Sequence, residues 1–222
     1  MFFLFRPTAE LVARYLTQWQ GEPFSYPDVG ISRTPQASRF TVDQQRVPLG
    51  RGEQAFRAAQ KVLRQWKMFP REMCELFFPN CPIAVGETVA VLFRAPGLWS
   101  LNPARIIYLI DDELPDGAGS IRRFGFAYGT LAEHLECGEE QFLIEWDSRD
   151  DTVWYRLTAY SRPRHWTVWC GYPYARYQQS RFRRLSGLAM RRAVEETLAA
   201  GNAVSSVDGT LAIANDNAQG SF

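Results

Sequence analysis

Between residues 88 and 160 apolar side chains recur at every second position, whereas before and after that block they recur at steps of three and four. The first period belongs to strands with alternating faces and the second to one stripe of a helix. At the N-terminal end, Thr8 caps a helix expected to run to about Trp19, with Leu11, Leu16 and Trp19 on its apolar side and Glu10 in its first turn. Residues 21–50 are rich in glycine, proline and polar groups, and include Tyr26-Pro27-Asp28-Val29-Gly30. The pattern predicts one strand there, over 39–42, and a turn at Leu49-Gly50-Arg51-Gly52. A helix over 53–67 follows, its stripe formed by Ala55, Phe56, Ala59, Val62, Leu63 and Trp66. Pro70 interrupts it, a short helix is expected through Phe77, and 79–82 reads as a loop.

Five strands are predicted next, over 88–94, 106–110, 122–131, 141–146 and 152–160. Short turn-like segments separate them, among them Ala95-Pro96-Gly97 and Asp116-Gly117-Ala118-Gly119, so they read as an antiparallel meander. Beyond Ser161-Arg162-Pro163 the helical period returns, with Tyr174, Gln178, Phe182, Leu185 and Ala189 on one face of a helix over 174–199. The small, polar stretch 201–222 reads as a disordered tail. A curved sheet with one apolar face needs a cover, and the terminal helix is the available one. The fold class expected is therefore α+β: a curved antiparallel sheet gripping a long C-terminal helix, with an N-terminal helical extension. Its parts are an extension over 1–22, the sheet-and-helix domain over 23–200, and the tail. Such a grip leaves an elongated cavity wherever side chains do not fill the space.

Composition narrows the function classes. With 25 basic and 24 acidic residues the net charge is +1, which argues against a general nucleic-acid binder. The balance is uneven along the chain: residues 152–194 hold nine arginines and no acid, while acids outnumber bases over 111–151. Cys74, Cys81, Cys137 and Cys170 show no CxxC spacing, so neither a disulfide framework nor a metal site is expected, and no cofactor motif is complete. The start, MFFLFRP, is too short for a signal peptide, no apolar stretch approaches a membrane span, and a cytoplasmic location is expected.

Phe124-Gly125-Phe126-Ala127-Tyr128-Gly129 makes a strand with one aromatic face and one nearly bare face, and a bare face lets another element or a ligand come close to the backbone. His134, Glu136, Glu139 and Glu140 crowd the next turn. Either His134 works as a general base oriented by Glu139 or Glu140, or the group braces a hairpin. Phe126, Tyr128, Tyr155 and Tyr160 either fill the core or line a cavity with polar spots. Arg162, where the last strand ends, either pairs with Glu139 or Glu140 or binds a ligand carboxylate or phosphate. Gly50, Arg51 and Gly52 before a helix offer a weak anion-binding turn, with a plain tight turn as the competing reading. The arginines of the terminal helix, with Trp166 and Trp169 before it, would suit an anionic membrane surface, but a helix that packs its apolar face on the sheet cannot also lie on a bilayer.

Two sets of motifs resemble the UPF0548 family, also known as domain of unknown function 1990. One is Tyr26-Pro27-Asp28-Val29-Gly30 with Leu49-Gly50-Arg51-Gly52, Phe56, Ala59, Leu63, Trp66 and Phe69. The other is Gly125 to Leu131, then His134, Glu136, Gly138-Glu139-Glu140, Phe142 and Ser161-Arg162-Pro163. That family is similar to the START/Bet v 1-like (SRPBCC) helix-grip superfamily, a likeness that implies an apolar ligand cavity and no established reaction. Three functions follow as expectations: a binding protein for a small, largely apolar or amphipathic molecule; an enzyme of cyclase, hydratase or hydrolase type; and a peripheral membrane or interaction protein. The oligomeric state is open.

Overall fold

In the computed structural model the described backbone comprises residues 1–33, 40–77, 81–95, 97–163 and 172–218. Pro79, Pro96, His165, Trp166, Trp169 and Cys170 lie outside it, as do the side chains from 202 onward. The elements in chain order are β1 (Phe2–Phe3), α1 (Ala9–Trp19), β2 (Thr41–Arg51), α2 (Gly52–Arg64), β3 (Cys74–Phe77), β4 (Thr88–Ala95), β5 (Leu98–Asp116), β6 (Gly119–Thr130), β7 (Glu136–Asp147), β8 (Thr152–Pro163) and α3 (Tyr172–Ala218). The strands form one eight-stranded antiparallel sheet in the order β2-β8-β7-β6-β5-β4-β3, with β1 also paired to β5. The result is the expected α+β arrangement, a sheet closed around a long C-terminal helix, with the N-terminal helix in place.

The sheet is apolar on both faces, each with its own cover. The concave face brings Val91, Ile106, Phe126, Phe142, Ile144 and Tyr155 against Phe56, Val62 and Leu63 of α2 and Phe182, Met190 and Val194 of α3. On the convex face, Val12 and Trp19 of α1 pack with Phe77, Leu92, Leu101 and Leu131. A second convex cluster joins Tyr26 and Phe40 to Cys137 and Tyr160. The N-terminal segment is therefore part of the sheet's outer core. Thr8 caps α1 by accepting from the Leu11 N–H at 3.3 Å. Its C-terminal carbonyls are met by Arg105 of β5, which donates to the oxygens of Trp19 at 2.5 Å and Gln20 at 2.7 Å.

Three local expectations are corrected. The 74–77 segment is a strand, not a helix: Cys74, Leu76 and Phe77 are buried and pair with β4, and a short apolar run does not announce its own period. The strand expected over 39–42 runs instead through Arg51, because its polar stretch Asp43-Gln44-Gln45-Arg46 forms the outer strand of the sheet and pairs along its length with β8. Leu49 and Gly50 thus end that strand at a bulge rather than forming a free turn. The terminal helix continues to Ala218, past the expected end near 199 and into the stretch read as a tail.

Phe126 is fully buried, edge-on to Trp66 at 5.1 Å between ring centres and stacked on Phe142 at 5.2 Å. Phe126→Ala is expected to destabilise the chain by roughly 3–5 kcal/mol. Urea unfolding checks this, and a loss below about 1 kcal/mol would mean that the ring stack is dispensable.

Candidate functional site

Strand alternation places the side chains of Glu136 and Glu140 on the concave face of β7 and those of Cys137 and Glu139 on the convex face. The neighbouring glutamates therefore belong to two separate sites.

On the convex side Glu139 is buried and every contact it receives is a donor. One oxygen accepts from the Tyr26 hydroxyl at 2.8 Å and the Gly30 N–H at 2.5 Å; the other accepts from the Ser32 N–H at 2.9 Å and the Ser32 hydroxyl. Ser32 continues to Tyr108 at 2.7 Å, and Gln141 donates to Tyr108 at 3.0 Å. Burial, the adjacent Glu139 and the hydrogen bond to it push the Tyr26 phenol well up. The bare face of β6 explains how this segment comes so close: a Cβ at Gly129 would overlap the Tyr26 hydroxyl and crowd the Phe24 ring. What approaches that bare face is the chain's own 24–32 segment.

On the concave side lies a cavity of about 380 Å³ between the sheet and the first turns of α3. Met73, Phe93 and Phe182 supply apolar wall; Tyr128, Glu140, Glu136, His134, Ser161 and Gln179 bring polar atoms to it. The Tyr128 hydroxyl donates to Glu140. Burial raises the Glu140 carboxyl to about 7, against the pull of that hydroxyl, and Glu136 adds to the rise. Glu136 is itself raised, chiefly by burial, and accepts from the Gln179 amide at 2.6 Å. The helical wall is fastened from outside the cavity: Arg176 forks onto Asp43 at 2.5 and 2.8 Å, and Arg183 reaches the same carboxylate at 3.2 Å. The Arg176 hydrogen bonds hold Asp43 below the usual carboxylate range.

The other residues named from sequence fall as follows. His134 borders the cavity, its Nδ1 3.0 Å from the Glu136 nitrogen and 3.1 Å from the Glu136 oxygen, so this ring nitrogen braces the turn into β7. Tyr128 lines the cavity, while Phe126 is core and Tyr155 turns its hydroxyl to Ser186 of α3 at 2.8 Å. Tyr160 borders the cavity but packs its ring into the convex cluster. Arg162 meets neither glutamate: it lies over the Phe40 ring at 5.1 Å and donates to the Cys137 sulfur at 3.5 Å. At the start of α2 the Gly52 N–H is taken by the Asp151 carbonyl at 2.9 Å, and the Asp151 carboxylate sits against Gly52, where an anion would have to lie. Along α3, Phe182, Met190 and Val194 are buried in the fold, and Arg191 and Arg192 face Glu195 and Glu196 one turn on. Among the described residues no helix is long and apolar enough to cross a membrane, and no group of three or more His, Cys, Asp or Glu side chains could hold a metal ion.

Sequence reading missed Gln179 and Arg183 on the helix, Asp43 on β2, and the apolar wall of Met73 and Phe93. The helical signal was present, since Gln179 and Arg183 fall one turn apart beside Phe182. No local signal pairs Asp43 with a helix 133 residues away.

Among solved structures the chain is similar to Ara h 8.0201, with a TM-score of 0.38 and 11% identity over 68% of this chain and 97% of that one. It is also similar to human STARD10, with a TM-score of 0.35 and 12% identity over 84% and 80%. Scores this low carry no inference about ligand or chemistry. In sequence it is 37% identical over 198 residues to a UPF0548 protein of Dictyostelium discoideum, covering 82% of this chain and 90% of the relative. It is 35% identical over 205 residues to a UPF0548 protein of Deinococcus radiodurans, covering 86% and 92%. Residues 25–189 match the model of the domain of unknown function DUF1990, and the chain belongs to that family.

Proposed function

We propose that this chain binds a small, largely apolar molecule in the concave cavity, between the sheet and the first turns of α3. The observation that carries the reading is the cavity itself: about 380 Å³ of space between the sheet and the helix, with mostly apolar walls and a few converging polar groups.

Native mass spectrometry of freshly purified protein, followed by denaturing extraction, tests the proposal. A reproducible co-purifying molecule of mainly apolar character is the expected result. The reading is overturned if the protein carries only its own mass and also enriches nothing from a total small-molecule extract.

A second reading, acid–base chemistry on the bound molecule, has one observation in its favour. A carboxyl raised to about 7 exchanges its proton at neutral pH, and Glu140 presents one inside the cavity, beside Tyr128 and near His134. Glu139 has no part in this version, because its side chain is on the other face of β7. Incubating an extracted ligand with fresh protein separates the two readings: unchanged ligand supports binding alone, and a product that Glu140→Gln no longer forms supports the chemistry.

A further inference from the structure

Among the polar groups on the cavity wall are two carboxyls, Glu136 and Glu140. Glu140 is half-buried and lines the cavity, so the surface it keeps faces that space. Tyr128 donates to one of its oxygens, and no other described residue donates to it. Glu136 accepts from Gln179 through one oxygen only. Of the guanidinium groups on the wall, Arg183 is turned to Asp43 and Arg94 lies over the Trp99 ring. Each of these two carboxyl groups therefore keeps an oxygen beside apolar space that no described donor meets.

We propose that the cavity selects molecules whose polar end is an amino group on a small apolar body, with Glu140 as the direct partner and Glu136 as a supporting acceptor. This rests on the cavity being a ligand site, and it deepens that reading by giving the class of ligand. An ammonium group offers several donors to the open acceptors and places a positive charge beside two carboxyl groups. A carboxylate would bring no donor to these oxygens, and an alcohol would satisfy one acceptor without the charge. The apolar body would lie against Met73, Phe93 and Phe182.

The experiment is calorimetric titration of the full chain with three probes of equal chain length: hexylamine, hexan-1-ol and hexanoate. Hexylamine is expected to bind at least about tenfold more tightly than hexan-1-ol, with hexanoate weakest. In Glu140→Gln the hexylamine affinity is expected to fall by about tenfold while hexan-1-ol changes little. Glu136→Gln, which removes the second carboxyl, is expected to weaken hexylamine and leave hexan-1-ol little changed, and it decides the matter if Glu140→Gln does not fold. Hexanoate binding as tightly as hexylamine, or hexylamine affinity unchanged in these variants, overturns the amine preference. Equal binding of hexylamine and hexan-1-ol removes the preference and leaves the binding reading standing. No binding of any probe to the wild-type chain counts against both.

Discussion

Glu139→Ala is expected to cost about 3–5 kcal/mol, enough to unfold a large share of the population of a typical domain. The reason lies in what the carboxylate leaves behind. Four donors converge on it: the Tyr26 hydroxyl, the backbone N–H groups of Gly30 and Ser32, and the Ser32 hydroxyl. Each unsatisfied buried donor costs roughly 1–3 kcal/mol, and alanine provides no acceptor for any of them. Water can recover part of the loss only by entering the convex cluster of Tyr26, Phe40, Cys137 and Tyr160. Glu139→Gln keeps one carbonyl oxygen and turns an amide toward the remaining donors, so it is expected to fall between alanine and wild type. Urea unfolding gives the stability, and hydrogen exchange at the Gly30 and Ser32 amides gives the local effect. A loss below about 1 kcal/mol, with both amides still protected, would mean that Glu139 is not the anchor of the 24–32 segment.

That anchor shows where sequence reading reaches and where it stops. The meander from 88 to 160 is legible because each strand alternates and each turn carries its own residues. β2 is hard to see: its middle is polar, and only its pairing with β8 and the helix above it makes it a strand. The crowded turn of His134, Glu136, Glu139 and Glu140 was legible as a place, but the allocation of its side chains was not. Adjacent residues on a strand face opposite ways, and which way each faces depends on the register of β7 between β6 and β8. The Glu139 carboxylate therefore went to the anchor and Glu140 to the cavity, so of the two alternatives only Glu140 shares a site with His134. Arg162 shares the convex face with Glu139, but its register partner on β7 is Cys137, and it lies over Phe40 instead of reaching the carboxylate.

The split has a functional logic. The convex network fixes the strand edge from outside, so the concave face can hold a cavity without relying on the ligand for rigidity. On the other side, Asp43 ties the first turns of α3 to β2 through Arg176 and Arg183. The helical wall is thus held by charged contacts outside the cavity, and its inner side remains free to present Gln178, Gln179 and Phe182.

Raising the pH from 4.5 to above 7 is expected to weaken the folded state by up to about 3 kcal/mol through Glu140 alone. In the folded chain this carboxyl holds its proton up to about 7, whereas its ordinary value is 4.5. Between those two values the folded state binds more protons than the unfolded state, so stability falls as the pH rises; the contribution is complete below 4.5 and gone above about 7. Facing this group are Tyr128 of β6, Glu136 of β7, Cys74 of β3, Tyr155 of β8 and Arg183 of α3. Glu136 is raised as well, so it acts with the same sign over its own window. Asp43 is lowered, so its contribution has the opposite sign, is present above its ordinary value of 3.8 and disappears only in stronger acid. Glu140→Gln keeps the shape of the side chain and removes the titration. Its urea midpoint is expected to change much less between pH 5 and pH 7.5 than that of the wild-type chain, and at pH 7.5 it is expected to be the more stable of the two. Equal pH dependence in both proteins would show that the Glu140 carboxyl carries no such burden. A wild-type chain that strengthens over that range while the variant does not would show that the carboxyl is stabilised as an anion, as it would be by a resident cation in the cavity.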